Sequence, residues 1–311
     1  MDENKKVMAA MVRHIKSSSS DPFTHLLDEY LVKRTDRNSD RASLEVDLRP
    51  RYRPGRRLSP SSIGGCQRVA AFQYVGIRGA KKFSPRTELI FENGDWVHHK
   101  WQAIFQDMEL VLNGKLRVLG IEERVEYKKL KIAGSLDARI ELEMDGKTTM
   151  MVVDIKSINA FGFSQVAAKM EPKEEHVKQI TTYSRAHPDR KKITHGAVLY
   201  ENKNTQEILF LAFPIDKSVW YETVSWCKEV LASLDDKKIP KKHPECDNGQ
   251  FGYGTCQYKS LCFGDMDRQQ LLHHVYSDFN GTDAEWKSGL RDEQEENSRF
   301  DKQQNVERTA K

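Results

Sequence analysis

The sequence predicts an α/β fold, a small mixed β-sheet flanked by helices, and three observations carry that expectation. Residues 134–144 alternate strictly. Leu136, Ala138, Ile140, Leu142 and Met144 fall on one face and Asp137, Arg139, Glu141 and Glu143 on the other, the period of a half-buried strand. Asp145-Gly146 is a hairpin signal, and residues 148–156 return behind it with the run Met150-Met151-Val152-Val153, apolar enough for burial on both faces. A helical stretch from about Glu174 to Ala186 then separates this hairpin from two further strand-like runs, 193–200 and 207–213.

The remaining elements follow in chain order. Asp21-Pro22 reads as an N-cap and first-turn proline, opening an amphipathic helix to about Lys33. Arg49 to Arg57 holds five arginines in nine residues, a solvated linker or a strip that contacts phosphates. Ser59-Pro60 and Ser84-Pro85 repeat the cap-and-proline signal and open helices over about 60–75 and 85–108. Residues 121–127 alternate like a strand, Glu201 to Asn204 reads as a turn, and a last helix spans about 216–235. That helix carries the stripe Trp220, Val224, Cys227, Leu231 and Leu234, which puts Cys227 in the core. The chain thus divides into a charged extension (1–58), a folded unit (59–275) and a polar tail (276–311) expected to be disordered.

Composition narrows the function. No stretch approaches 18 consecutive apolar residues, so no membrane helix is expected. Met1 to Lys6 has no apolar run, so no signal peptide is expected either. Five cysteines are odd in number and too few for a disulfide scaffold in 311 residues, which points to a reducing, cytoplasmic compartment. A net charge of +4 is too mild to mark a nucleic-acid binder by itself.

Two clusters carry the chemistry. Asp137 lies on the first arm of the hairpin, and Asp154 and Lys156 share one side of the second. Equal arms about the Asp145-Gly146 turn roughly oppose 137 and 154, so two carboxylates converge with an ammonium beside them. Carboxylate oxygens hold a hard cation such as Mg²⁺ or Mn²⁺, which polarises a phosphate and acidifies a water, while a lysine neutralises developing charge. A strand-end salt bridge is the plainer reading of Asp154-x-Lys156 alone, but charge directly after an apolar run is costly without a partner. His98, in the helix before the sheet, adds an imidazole donor. Gln179 and Tyr183, four apart, share a helix face and could hold a phosphate or orient the lysine. The second cluster is Cys246, Cys256 and Cys262, which with the distant Cys66 can supply a Cys₄ site for Zn²⁺ or an iron–sulfur centre.

Basic residues surround these clusters in sequence: Arg78, Lys81, Lys82 and Arg86; Lys169, Lys173 and Lys178; Lys237, Lys238, Lys241 and Lys242. With Trp96, Trp101, Phe161 and Phe163 they suit a groove for single-stranded DNA, although Trp101 also fits the core.

In order, His98, Gly134-x-x-Asp137, Asp154-x-Lys156 and Gln179-x-x-x-Tyr183 resemble the motifs of the PD-(D/E)XK nuclease superfamily, most closely its RecB-type exonuclease branch, over about residues 59–265. The G-x-x-x-H spacing favours His98 over His99 as the family histidine. The resemblance implies a restriction-endonuclease-like core and a metal held by His98, Asp137, Asp154 and the backbone carbonyl of Ile155. It also implies catalytic roles for Asp137, Asp154, Lys156, Gln179 and Tyr183. One distant cysteine plus a terminal C-x₅-C resembles the iron–sulfur staple of the AddB subunit and the CRISPR-associated exonuclease family (the fourth Cas protein). A 4Fe–4S cluster on Cys66, Cys246, Cys256 and Cys262 is then implied, joining the two ends of the domain. The C-x₉-C step departs from the usual C-x₂-C and keeps Zn²⁺ as the runner-up. The implied function is metal-dependent exonucleolytic hydrolysis of DNA, single-stranded or with a free end. The implied setting is recombination, repair or spacer acquisition, with partner proteins from recombination or CRISPR systems. A structure-dependent endonuclease and an inert metal-stapled DNA-binding module are the rivals.

Overall fold

Among the described residues, five strands form one mixed sheet in the order β1-β2-β3-β4-β5: β1 (Leu116–Tyr127), β2 (Ile132–Met144), β3 (Lys147–Ile158), β4 (Ile193–Asn202) and β5 (Ile208–Pro214). All neighbours are antiparallel except β3 and β4, which run parallel. That one parallel pair requires a crossover, supplied by α4 (Ala160–Lys169) and α5 (Glu174–Ala186). The other helices are α1 (Pro22–Asp36), α2 (Gln67–Tyr74), α3 (Pro85–Val111) and α6 (Lys217–Asp235). This computed structural model describes residues 22–36, 56–77, 85–144, 146–236, 238–240, 243, 246, 256, 258, 261 and 262. The arginines from Arg49 to Arg53, the loop lysines Lys81 and Lys82 with Arg78, the side chain of Arg86, residues Lys237, Lys241 and Lys242, and the tail 276–311 lie outside them. Among the described residues no helix is long and apolar enough to cross a membrane.

The fold class is the one the sequence predicts, and the crossover helix Glu174–Ala186 has the expected bounds. Hydrophobic layers lie on both faces of the sheet. On one, α1 and α3 pack Phe23, Leu27, Tyr30, Trp101, Phe105 and Met108 against Ala138, Ile140, Met151, Val153, Ile155 and Leu199. On the other, Ile180 and Tyr183 of α5 and Phe163 and Val166 of α4 pack against Val152, Val198 and Tyr200. β3 is therefore buried on both faces, as its unbroken apolar run requires. A boundary at residue 59 cuts off α1, yet α1 belongs to the core, and Tyr30 is tied to α3 by a hydrogen bond from its hydroxyl to Asp107 (2.6 Å).

Two expectations need correction. The helix over 60–75 is broken: a single 3₁₀ turn, Pro60–Ser62, is followed by a turn with Gly64 at φ +82°, and the α-helix starts only at Gln67. That backbone conformation suits glycine and ends the first helical segment. The strict alternation of β2 also fails at one place. Ala138, Ile140 and Leu142 face the α3 side, but Leu136 packs on the α5 side. β1 does the same, with Ile121 on the α3 side and Val125 on the α5 side. Between them Glu122 has φ +49°, and the pairing Ile121↔Ala138, Glu123↔Leu136 puts Glu122 level with Asp137. Both strands rotate at the same level, and each carries a carboxylate there.

Candidate active site

The site forms where the β2–β3 ladder ends. Pairing runs from Met144↔Lys147 to Ala138↔Val153, the equal-arm register the hairpin turn predicts, and stops one residue short of Asp137 and Asp154. There the Asp137 carboxylate takes over a backbone partner: Ile155 N–H donates to its Oδ2 at 2.7 Å. The same oxygen lies 3.3 Å from His98 Nδ1. α3 places His98 by its own anchors, because Glu201 on β4, itself buried, accepts from Trp101 Nε1 (2.5 Å) and pairs with Lys100 Nζ (2.6 Å). His99, the other candidate, instead meets the edge of Trp96.

His98, Asp137 and Glu122 each offer one donor atom, and the three atoms lie within 4.8 Å of one another. A nitrogen and two carboxylate oxygens at that spacing suit Mn²⁺ or Mg²⁺. Glu122 is the member that sequence reasoning missed. Its left-handed backbone, worth about 1 kcal/mol of strain for a non-glycine residue, is held by Gln102. That buried amide, one turn after His98 on α3, donates to Glu122 Oε1 at 2.7 Å and to the Asp137 carbonyl at 3.3 Å. The only sequence trace was Glu122-Glu123, two adjacent acids where alternation expects one.

Asp154 sits beside this group but in a different network. Gln179 Nε2 donates to its Oδ1 (3.0 Å), and Lys156 Nζ is ion-paired with its Oδ2 at 2.8 Å and donates to Gln179 Oε1 at 3.3 Å. Asp154, Lys156, Gln179 and Tyr183 thus share the α5 face of β3, as period two and the i,i+4 spacing require. Tyr183 packs its hydroxyl against Gly134, where a Cβ would come within 3.0 Å of that oxygen and 2.9 Å of the Pro60 ring. This is the physical reason for a glycine three residues before Asp137.

Electrostatics split the two aspartates. Burial and the neighbouring Asp137 charge push Asp154 up to about 6, against the pull of Lys156. Burial acts on Asp137 as well, but His98, Lys156 and the Ile155 N–H outweigh it and hold that carboxyl below its ordinary value. Asp137 is thus the firmly ionised member, and Asp154 is the one for which protons compete. Burial, together with the charges of Asp137, Asp154 and Glu122, keeps the Tyr183 phenol protonated.

Cys66, Cys256 and Cys262 lie near one another beside α2. Cys66 precedes α2, and Phe72 packs on Tyr258 among Cys256, Leu261, Cys262 and Ile239, joining the N- and C-terminal parts of the unit. The Cys262 thiol is raised by burial, and Cys66 and Cys256 lie close enough to push it the same way, while Arg68 hydrogen-bonds to it. Cys227 is fully buried in the α6 layer with Val230 and Ile132, as the stripe predicts. Among the aromatic residues, Trp101 and Phe163 are buried core, whereas Trp96 and Phe161 are exposed. Lys178 is tied to Glu174 and Lys238 to Asp236, leaving less of the basic surface available than the sequence count suggests.

No family model matches the chain, and no curated protein matches it in sequence. Solved structures with a similar course of the chain include LHK-Exo in complex with dAMP, at 13% identity and TM-score 0.42 over 58% of this chain and 89% of that one. An alkaline exonuclease, LHK-Exo, from Laribacter hongkongensis gives 14% and 0.39 over the same shares. SSO0001 gives 15% and 0.38 over 80% of this chain and 99% of that one.

Proposed function

We propose that this chain is a Mg²⁺- or Mn²⁺-dependent deoxyribonuclease that hydrolyses phosphodiester bonds, acting as an exonuclease on single strands or free ends. The observation that carries the proposal is the convergence of His98, Glu122 and Asp137 donor atoms beside the Asp154–Lys156–Gln179 network, where β2 and β3 part. His98, Glu122 and Asp137 would hold the cation, with Asp154 and the Ile155 carbonyl completing its surroundings. When bound, the cation would polarise the phosphate and acidify a water. Lys156 would neutralise charge developing on the phosphate, and Gln179 holds the lysine against Asp154 so that the ammonium is in place beforehand. Tyr183 would serve as a neutral donor from α5.

End-labelled single strands with and without Mn²⁺ test this reading. Release of labelled nucleotides only with metal supports it. Cutting of circular single strands at a similar rate would replace the exonuclease with an endonuclease. Binding without cutting under any metal would leave the inert DNA-binding module. The same proposal assigns Cys66, Cys246, Cys256 and Cys262 to a 4Fe–4S centre with a structural role, supported by the approach of Cys66 and Cys256 to Cys262. Anaerobically purified protein should be brown, and a colourless protein holding zinc would keep the Cys₄ site but exclude the cluster. A place in recombination, repair or spacer acquisition, with partners from those systems, belongs to the same reading.

A further inference from the structure

His176 stands one turn before Gln179 on α5, on the same face as that residue. Its Nδ1 lies 2.7 Å from the hydroxyl of Tyr200, a fully buried β4 residue paired in register with Lys156. The Tyr200 oxygen also accepts from the backbone N–H of Lys173 at 3.0 Å. These contacts fix the tautomer. A buried phenol hydrogen without an acceptor is costly, and Nδ1 is its one acceptor among the described residues. Tyr200 therefore donates to Nδ1, and the ring carries its proton on Nε2. Nε2 makes no hydrogen bond among the described residues, and it is not one of the buried unpartnered atoms, so it is reachable from solvent. Burial first, and then the positive charges of Lys156 and Lys173, hold the imidazole neutral, down to about 3.

A neutral N–H donor beside an ammonium does not repel it, so the two can share one anion. We infer that His176 is a substrate-contacting residue whose Nε2–H donates to a phosphate oxygen of the bound strand next to Lys156, an inference that rests on the nuclease reading. A purely structural role, pinning α5 to β4, would use Nδ1 alone and leave Nε2 indifferent to nucleic acid.

Nitrogen NMR of the histidine rings in the full chain tests this, with His176 assigned by the loss of its signal in His176→Gln. At pH 7 the ring should be neutral with Nε2 protonated. A short single-stranded oligonucleotide added without metal should shift Nε2. A protonated Nδ1, a charged ring, or no shift at saturating oligonucleotide would overturn the inference. In the cleavage assay His176→Ala should raise KM about tenfold, as for a lost hydrogen bond to a charged group, with Mn²⁺ affinity unchanged. His176→Gln, which restores an amide donor near the Nε2 position, should recover most of the loss. An unchanged KM in His176→Ala with active wild type overturns the His176 role alone. A shifted Nε2 in a protein that never cleaves keeps His176 as an anion contact and overturns the nuclease reading instead.

Discussion

At Asp137 a side chain replaces a strand. Its carboxylate takes the Ile155 N–H at the point where the β2–β3 ladder stops and meets His98 on the same oxygen. A residue that closes a sheet and is proposed to bind a metal should separate those roles on mutation. Asp137→Asn keeps an acceptor for Ile155 but loses the charge, so the fold should survive while Mn²⁺ affinity falls at least about tenfold. Glu122→Gln should weaken it by a similar factor. Titration followed by the Mn²⁺ electron spin resonance signal reads both, and an unchanged affinity in Glu122→Gln would remove that residue from the metal group. Asp154 gives a different signature. A carboxyl whose folded pKa lies above its unfolded value near 3.8 costs stability once ionised, fully above about pH 6 and less as the pH falls toward 4. Without metal, Asp154→Asn should therefore raise Tm at pH 8 by roughly 2–4 °C, for about 1 kcal/mol, and the gain should fade by pH 4. Thermal scans across that range check it, and a gain that grows toward acid would reverse the assignment. The placement of Asp154, Lys156, Gln179 and Tyr183 was legible in the sequence because strand and helix periods set their faces, and Asp137 was placed opposite Asp154 by the equal arms of the hairpin. Glu122 was not legible, because its place depends on a left-handed backbone whose one trace, the adjacent acids Glu122-Glu123, does not say which of them turns inward. His176 was hidden for a related reason: its partner Tyr200 comes from a strand 24 residues away.

At the scale of elements, the site is held by contacts between neighbours rather than by any one helix. The hairpin register followed from Asp145-Gly146 and equal arms, and the crossover helix followed from its i,i+4 pattern. The rotation of β1 and β2 at Glu122 and Asp137 did not, since period two assumes a strand that keeps its faces. The break after Ser62 has a local signal in Gly64-Gly65, which the helix-opening Ser59-Pro60 obscures. The 3₁₀ turn it leaves behind has its own use: the Pro60 ring and the Tyr183 hydroxyl close on Gly134 from opposite elements. Gly134→Ala should therefore push Tyr183 or Pro60 away and cost about 1–3 kcal/mol, as overpacking does. A denaturant melt measures the loss, and a neutral result would mean that the turn yields without strain.

At the scale of the whole molecule, the segment around α2 and the residues near Tyr258 meet beside Cys66, Cys256 and Cys262. α2 near the start of the folded unit packs through Phe72 on Tyr258, and the Tyr258 hydroxyl donates to the Ile77 carbonyl at 3.1 Å. A centre bound there closes a very long loop, so its loss should destabilise the whole unit. Cys66→Ser should bleach the protein and lower its global Tm, whereas Cys227→Ala should keep the colour and cost only local packing. Equal colour and Tm in Cys66→Ser and wild type would dissolve the Cys₄ proposal without touching the acidic site. The nuclease reading itself meets its most direct test in one assay: Mn²⁺-dependent release of nucleotides from end-labelled single-stranded DNA by the wild type and by the Asp137→Ala, Asp154→Ala double variant. The account predicts release by the wild type that a chelator abolishes, and none by the variant even though it still binds the strand. Equal release by both proteins, or release that survives the chelator, would contradict it.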